Sequence, residues 1–326
     1  VTLRYLRAYL KPFVMAVAPK QYYRHLIRQA IKEMNVNSPY IRPVIMVPYD
    51  SFGMYPTMYD RPPSFYEKRK SSMKWDENGI PMLNMDGTDV YHPVYMTQYA
   101  LSEYGFFMTT NRDSHLETVK IISDWLVANQ DVSTGYWIYS YDYVHEPTKF
   151  VLKAPWASAM AQGQAISLLT RLYRLTHIES YLEAAIRAVK MLDVPISNGG
   201  LASELWGHVV YEEFPTIPYS FTLNGFMFCA LGLYDLSRLV KQEYIVNLWR
   251  KAVDTLTFMV PLYDGDFMST YCLSHVTVRN ATRKWAEAYH YIHIKMLQCF
   301  QSIIPNPTFE FYIRRWAGFW GIEIDG

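Results

Sequence analysis

Residues 157–176 read ASAMAQGQAISLLTRLYRLT, and residues 180–192 read SYLEAAIRAVKML. In the second stretch Leu182, Ala185, Ile186, Val189 and Leu192 recur at helical spacing, which fixes one buried face. Ser180 with Glu183 three residues on reads as a capping box at the helix start. The turn between the stretches is short, so the two helices are antiparallel neighbours.

The same unit recurs along the chain. MTQYALSEYGFFMTT (96–110) pairs with SHLETVKIISDWLVANQ (114–130), which carries the same box at Ser114 and Glu117. SFTLNGFMFCALGLYDLSRLV (220–240) pairs with QEYIVNLWRKAVDTLTFMV (242–260). WAEAYHYIHIKMLQCFQSI (285–303) pairs with a helix that opens after Asn306-Pro307, where proline suits a first helical position. The pairs begin near 96, 157, 220 and 285, a period of roughly 63 residues. Long segments separate them: 131–156, 194–219 and 261–284. Up-and-down pairs return the chain to one end each time, so these segments gather at one mouth. Alternating apolar residues in GYWIYSYDY (135–143), ELWGHVVYEEFP (204–215) and YDGDFMSTYCLSHVTV (263–278) predict short hairpins there. The expected fold is mainly α, an α/α toroid of antiparallel helix pairs over 96–326 with β-hairpins at one end. That architecture is suited to gripping a polymer, an analogy at the level of fold.

The N-terminal part differs. Residues 1–35 form an amphipathic pattern with Arg4, Arg7, Lys11, Arg24, Arg28 and Lys32 as cations, broken by Pro12 and Pro19 into two short helices. Packing on the main domain is the first expectation, and peripheral contact with an anionic membrane the second. Residues 36–95 read as a β-rich arm or small subdomain, with YIRPVIMVPY (40–49) as β-like and Pro62-Pro63 and Asn78-Gly79 as turns. YEKRKSSMKWDENG (66–79) reads as a charged hairpin tip.

Composition sets further bounds. The chain has 326 residues, half of them apolar, which suits a globular protein with a sizeable core. A formal charge of +1 argues against nucleic acid as partner. Tyr outnumbers Phe by 28 to 16, an excess of hydroxyls that suits a wall facing sugar as well as a Tyr-rich core. The odd set Cys229, Cys272 and Cys299 forms neither a disulfide framework nor a zinc pattern. No nucleotide-binding glycine motif, HExxH or CxxC is present, so neither cofactor nor metal is expected. No apolar run reaches a membrane span and no signal peptide is visible, which favours a cytoplasmic location.

Two blocks, PWASAMAQGQAISLLTRLYRLT (155–176) and YEEFPTIPYSFTLNGFMFCALGLYDL (211–236), resemble the signature blocks of the D-glucuronyl C5-epimerases. YHPVYMTQYALSEY (91–104) and WAEAYHYIHIKMLQ (285–298) are similar to an earlier and a last block of that family, so the resemblance runs from about 90 to 320. It implies conversion of glucuronate to iduronate within a heparosan-like glycan, without organic cofactor, and the family's frequent dimerisation makes a homodimer an expectation. The family's Glu before an aromatic, acting at C5, matches Glu213; its Tyr before His, acting from the opposite face, matches Tyr289; a loop Tyr matches Tyr271. Two positions depart: Phe214 stands where the family often has Tyr, and Ser274 where animal enzymes carry Arg.

The chemistry asks for such groups. A hydrogen alpha to a carboxylate needs a base beside it, donors on the carboxylate and an acid on the other ring face. Glu213 desolvated among rings has its pKa raised toward neutrality, and on an extended segment Glu212 points the other way. The bland alternatives are a hairpin salt bridge for Glu213 and a buried, satisfied phenol for Tyr289. Expected substrate contacts are Phe214, Asn224, Gln98, Arg283, His290 and Trp156, with Arg279 and His275 as further candidate cations. Rival readings are a uronate lyase on the same fold, an inactive uronate-glycan-binding protein, and a glycoside hydrolase pairing Glu213 with Asp142 or Asp264 about 5–10 Å away.

Overall fold

The computed structural model describes residues 48–56, 68, 70–322 and 324. The expected helices over 1–35 and most of the arm before residue 68, including 40–47 and Pro62-Pro63, lie outside the described residues. The chain is mainly helical with small sheets. An antiparallel three-stranded sheet comes first: β1 (Lys74–Trp75), β2 (Pro81–Met85) and β3 (Thr88–Val90). The turn between β1 and β2 holds Gly79 at φ +78°, a conformation glycine adopts without strain.

Four helix pairs follow: α1 (Pro93–Thr110) with α2 (Asp113–Ala128), α3 (Ala159–Thr176) with α4 (Glu179–Arg187), α5 (Leu223–Leu239) with α6 (Glu243–Met259), and α7 (Glu287–Ile303) with α8 (Pro307–Trp320). They begin at 93, 159, 223 and 287, within three residues of the expected starts. The odd-numbered helices pack side by side as α1, α3, α5 and α7, and each even helix backs its own partner. This explains the hydrophobicity patterns. Helix α3 is buried on every side from Ala159 to Leu172, the polar residues Gln162, Gln164, Ser167, Thr170 and Arg171 included. Helix α6 buries only Ile245, Leu248, Trp249, Ala252, Val253, Thr255, Leu256 and Met259, one face. The most intimate crossing is α3 on α5. A Cβ on Gly163 would lie 2.3 Å from the Cys229 Cα, and one on Gly232 would lie 2.2 Å from the Gly163 carbonyl oxygen.

Both capping boxes are corrected. Helix α2 starts at Asp113 and α4 at Glu179, so Ser114 and Ser180 lie inside the first turn and cap nothing. The preceding helices end on left-handed Asn111 and His177, leaving two residues for each turn. The acids Asp113 and Glu179 occupy the first position instead, where the helix dipole favours them. The expected start holds at α8, where Asn306 caps Thr308 N–H and Pro307 is first; left-handed Gly321 ends the helix.

Two of the three long connections form hairpins: β4 (Tyr143–His145) with β5 (Phe150–Leu152), and β6 (Ala202–Leu205) with β7 (His208–Tyr211). The third does not. Residues 261–284 hold a 3₁₀ turn ending at Tyr263, a single helical turn Ser274–Thr277 and a lone Thr270–Trp285 bridge. Cys229, Cys272 and Cys299 are free and buried. Among the described residues no helix is long and apolar enough to cross a membrane.

Candidate active site

The inner helices and all three long connections line a cavity of about 590 Å³. Gln98 and Ser102 of α1, Met160 of α3, Phe228 of α5, and Tyr289, Ile292, Lys295 and Met296 of α7 line it from four sides. The hairpin segments add Tyr139, Tyr141, Tyr143, Trp156, Glu213 and Phe214, and the third connection adds Tyr271.

The backbone decides which acid of the Glu212-Glu213 pair enters. Glu212 N–H donates to the Leu201 carbonyl at 2.9 Å, and its own carbonyl accepts from Ala159 N–H at 3.0 Å. With the backbone pinned on both sides, successive side chains diverge. The Glu212 carboxylate turns into the protein and accepts from Ser203 Oγ (2.7 Å), Ser220 Oγ (3.2 Å) and Phe221 N–H (3.1 Å). Phe221 sits at φ +48°, a left-handed conformation rare for an aromatic residue. Glu213 turns to the cavity, where Asn224 Nδ2 donates to its Oε2 at 3.3 Å. Gly225 makes the space: a Cβ there would lie 2.3 Å from the same oxygen.

Burial raises the Glu213 carboxyl from the usual 4.5 to about 8, with the Glu212 charge adding to it and the Asn224 bond opposing it. Burial likewise lifts Glu212 to about 7, against its three hydrogen-bonding partners. The Tyr271 and Tyr289 rings meet at 4.6 Å and 59°. Burial, then the Glu213 charge, pushes Tyr289 up to about 12 and Tyr271 well above its ordinary value. Both phenols are therefore neutral at any working pH. The Tyr271 backbone is tied to Lys284 through its N–H and to the first residue of α5 through its carbonyl.

A wall of rings completes the site. Trp156 stacks on Tyr139 at 4.0 Å and donates its indole N–H to the Tyr141 carbonyl; Phe214 stacks on Tyr143 at 5.4 Å. The loop leading to this wall is fixed by Gln162, which donates to Gly135 and Ala188 carbonyls and accepts from Trp137 N–H.

Of the expected site residues, Glu213, Tyr271, Tyr289, Phe214, Trp156 and Gln98 line one cavity. Asn224 is buried behind Glu213 and orients it from α5. His290 is corrected. It lies one helical step from Tyr289 and turns out of the cavity: its Nδ1 accepts from Ser269 N–H of the third connection, and its Nε2–H donates to the Trp316 carbonyl of α8. Burial lowers it to about 3, so it is a neutral tie between helices and no cation. Arg283 is exposed, donates to the Asp264 carbonyl and lies over Trp285, outside the cavity. Ser274 is buried in the single helical turn, away from the cavity, and Arg279 is exposed. Sequence reasoning missed His92 and Lys295. His92 caps α1 by accepting from Tyr95 N–H at 3.2 Å and packs edge-on to Tyr139 at 5.0 Å. The signals were a His-Pro at a helix start and a lysine inside the apolar run IHIKML. Among the described residues no cluster of three metal-ligating side chains occurs.

The cavity thus holds one carboxyl with its pKa raised toward neutrality beside two neutral phenols, within an aromatic wall. Residues 130–318 match the family model described as D-glucuronyl C5-epimerase C-terminus, and the chain belongs to that family. A D-glucuronyl C5-epimerase of Caenorhabditis elegans is 34% identical over 224 residues, 65% of this chain and 36% of that protein. The chain thus spans about a third of the length of that curated relative. Among solved structures, a family 76 glycoside hydrolase from a bovine Bacteroides thetaiotaomicron strain aligns at 13% identity and TM-score 0.48, over 72% of this chain and 49% of that one. That likeness is too weak to carry an inference.

Proposed function

We propose that the cavity binds a glucuronate unit of a glycan and inverts its C5, and that the curved row of helix pairs closes around it as an α/α toroid. The observation that carries this is the meeting of Glu213, Tyr271 and Tyr289 in one cavity of a chain from this family. Ionised Glu213 takes the C5 proton, and the C5–H electron pair moves into the substrate carboxyl group as an enediolate. Tyr289 delivers its hydroxyl proton to C5 from the opposite face, and Tyr271 donates a hydrogen bond to the developing negative charge. Solvent then reprotonates the Tyr289 phenolate as Glu213 releases the proton it took. The stacked rings Trp156, Tyr139, Tyr143 and Phe214 form a wall against the flat face of a sugar.

A hydrolase is disfavoured by the carboxylates. Glu213 is the one acid among the described lining residues. Asp142 pairs with Lys153 at 2.6 Å on the exposed hairpin, and Asp264 pairs with Arg315 at 2.8 Å. The deciding experiment incubates the protein with heparosan in heavy water and follows C5 by NMR together with near-ultraviolet absorbance. Deuterium at C5 without new absorbance supports an epimerase. New absorbance makes it a lyase, and neither signal makes it a binder.

The pH dependence follows from the site. Glu213 acts only when ionised, so activity climbs with pH through about 8 instead of the ordinary 4.5. No fall from Tyr289 occurs below its value of about 12. Glu212→Gln removes the repelling charge and moves the rising limb to lower pH. A limb near 4.5 in the parent protein would refute the desolvated base.

Gly225→Ala tests the seat of the base. The new methyl would meet Glu213 Oε2 at 2.3 Å, so the carboxyl must move. Exchange at C5 is expected to fall about a hundredfold, with a lowered thermal midpoint because the methyl would also lie 2.4 Å from the Glu213 Cβ. Unchanged exchange would show that the carboxyl position is not critical.

A further inference from the structure

The described lining of the cavity includes a strong cation, where a neutral sugar site would need none. Among its described lining residues Lys295 is the one lysine or arginine, on a wall otherwise aromatic, aliphatic or weakly polar. Its residue is 8% exposed, and its ammonium lies 5.9 Å from the centre of the Tyr291 ring, one turn earlier on α7. Arg283 is out of reach on the surface, and Ser274 brings no charge. Of the cations near the site, Arg279 and Arg283 thus lie outside the cavity lining, and Lys295 lies within it.

We propose that Lys295 forms an anion subsite in the cavity and recognises a carboxylate of the bound acidic glycan; this rests on the uronate reading above. Lys295 is six residues beyond Tyr289, about 9 Å along the helix axis. The charge thus stands deeper than the proton donor. It draws the acidic chain inward without replacing Glu213 or the phenols in the chemistry. Lys295 is accordingly a specificity-determining residue.

The test is isothermal titration of the full chain with a heparosan oligosaccharide and with the same oligosaccharide after reduction of its carboxyl groups to alcohols. The parent protein should prefer the acidic form. Lys295→Met should weaken acidic binding about tenfold to a hundredfold, the range of a charge-assisted hydrogen bond, and leave the reduced form unchanged. Lys295→Arg should restore most of the preference. Lys153→Met, on the exposed hairpin, should change neither. In the exchange assay Lys295→Met should raise KM and spare the rate at saturation. If the methionine variant does not fold, Lys295→Gln serves in the same titration. An undiminished acidic preference in the folded variant overturns the subsite, as does a parent protein that binds both forms equally. A parent protein that binds neither form overturns the uronate reading itself.

Discussion

Glu213→Gln is expected to abolish hydrogen exchange at C5, a loss of about 10²–10⁴-fold or more, the usual contribution of a positioned general base. The replacement is nearly isosteric, which matters because Gly225 leaves no room for a larger group. The amide oxygen still accepts from Asn224 Nδ2. Stability gives the second half of the signature. The folded-state carboxyl is raised to about 8 by burial and by Glu212, above its unfolded value of 4.5. A group raised in this way contributes stability below its unfolded pKa and loses it as pH rises through the folded one. Glutamine does not ionise, so above pH 8 the variant is at least as stable as the parent. Inactivity joined to undiminished stability marks a functional group held against the fold's preference. A variant both unstable and partly active would reduce Glu213 to a structural acid.

Arg171→Met is expected to cost about 3–5 kcal/mol, because it strands a buried charge. Arg171 of α3 and Asp235 of α5 are both wholly buried and meet at 2.7 Å. Arg171 also donates to the carbonyls of Gly53, Asp50 and Ser167, and the Tyr49 hydroxyl donates to both Asp235 oxygens. The network latches residues 49–53 onto α3 and α5, about three turns along α3 from its cavity residue Met160. Chemical denaturation measures the loss. Asp235→Leu added to Arg171→Met removes the stranded charge and should recover part of it. The folded fraction should retain exchange activity. A loss below about 1 kcal/mol would mean water reaches the pair.

Periodicity made the helices legible, since an inner helix buried on every side and an outer helix buried on one face leave different patterns. The α3–α5 crossing was written as Gly163 and Gly232, but only geometry shows that they face each other. The cap residues were misread because local preference for serine yields to two-residue turns that set the helix start. His290 was misread because adjacency in sequence to Tyr289 means about 100° of rotation on a helix, enough to turn it out of the cavity and against Trp316. The divergence of Glu212 from Glu213 was readable from strand alternation. The bonds holding that alternation, from Leu201 and Ala159, are long-range and invisible in sequence. Lys295 was overlooked because a charge in an apolar helix face reads as surface until the cavity beside it is seen.

The central claim is that hydrogen leaves one face of the sugar and a different hydrogen arrives on the other. A single-turnover incubation in heavy water, with NMR of the inverted residues alone, tests it most directly. The account predicts deuterium at C5 of every newly formed iduronate, delivered from the solvent-exchanged hydroxyl of Tyr289. Inverted residues that keep their original hydrogen would mean that one group serves both faces, and the two-sided site would be wrong.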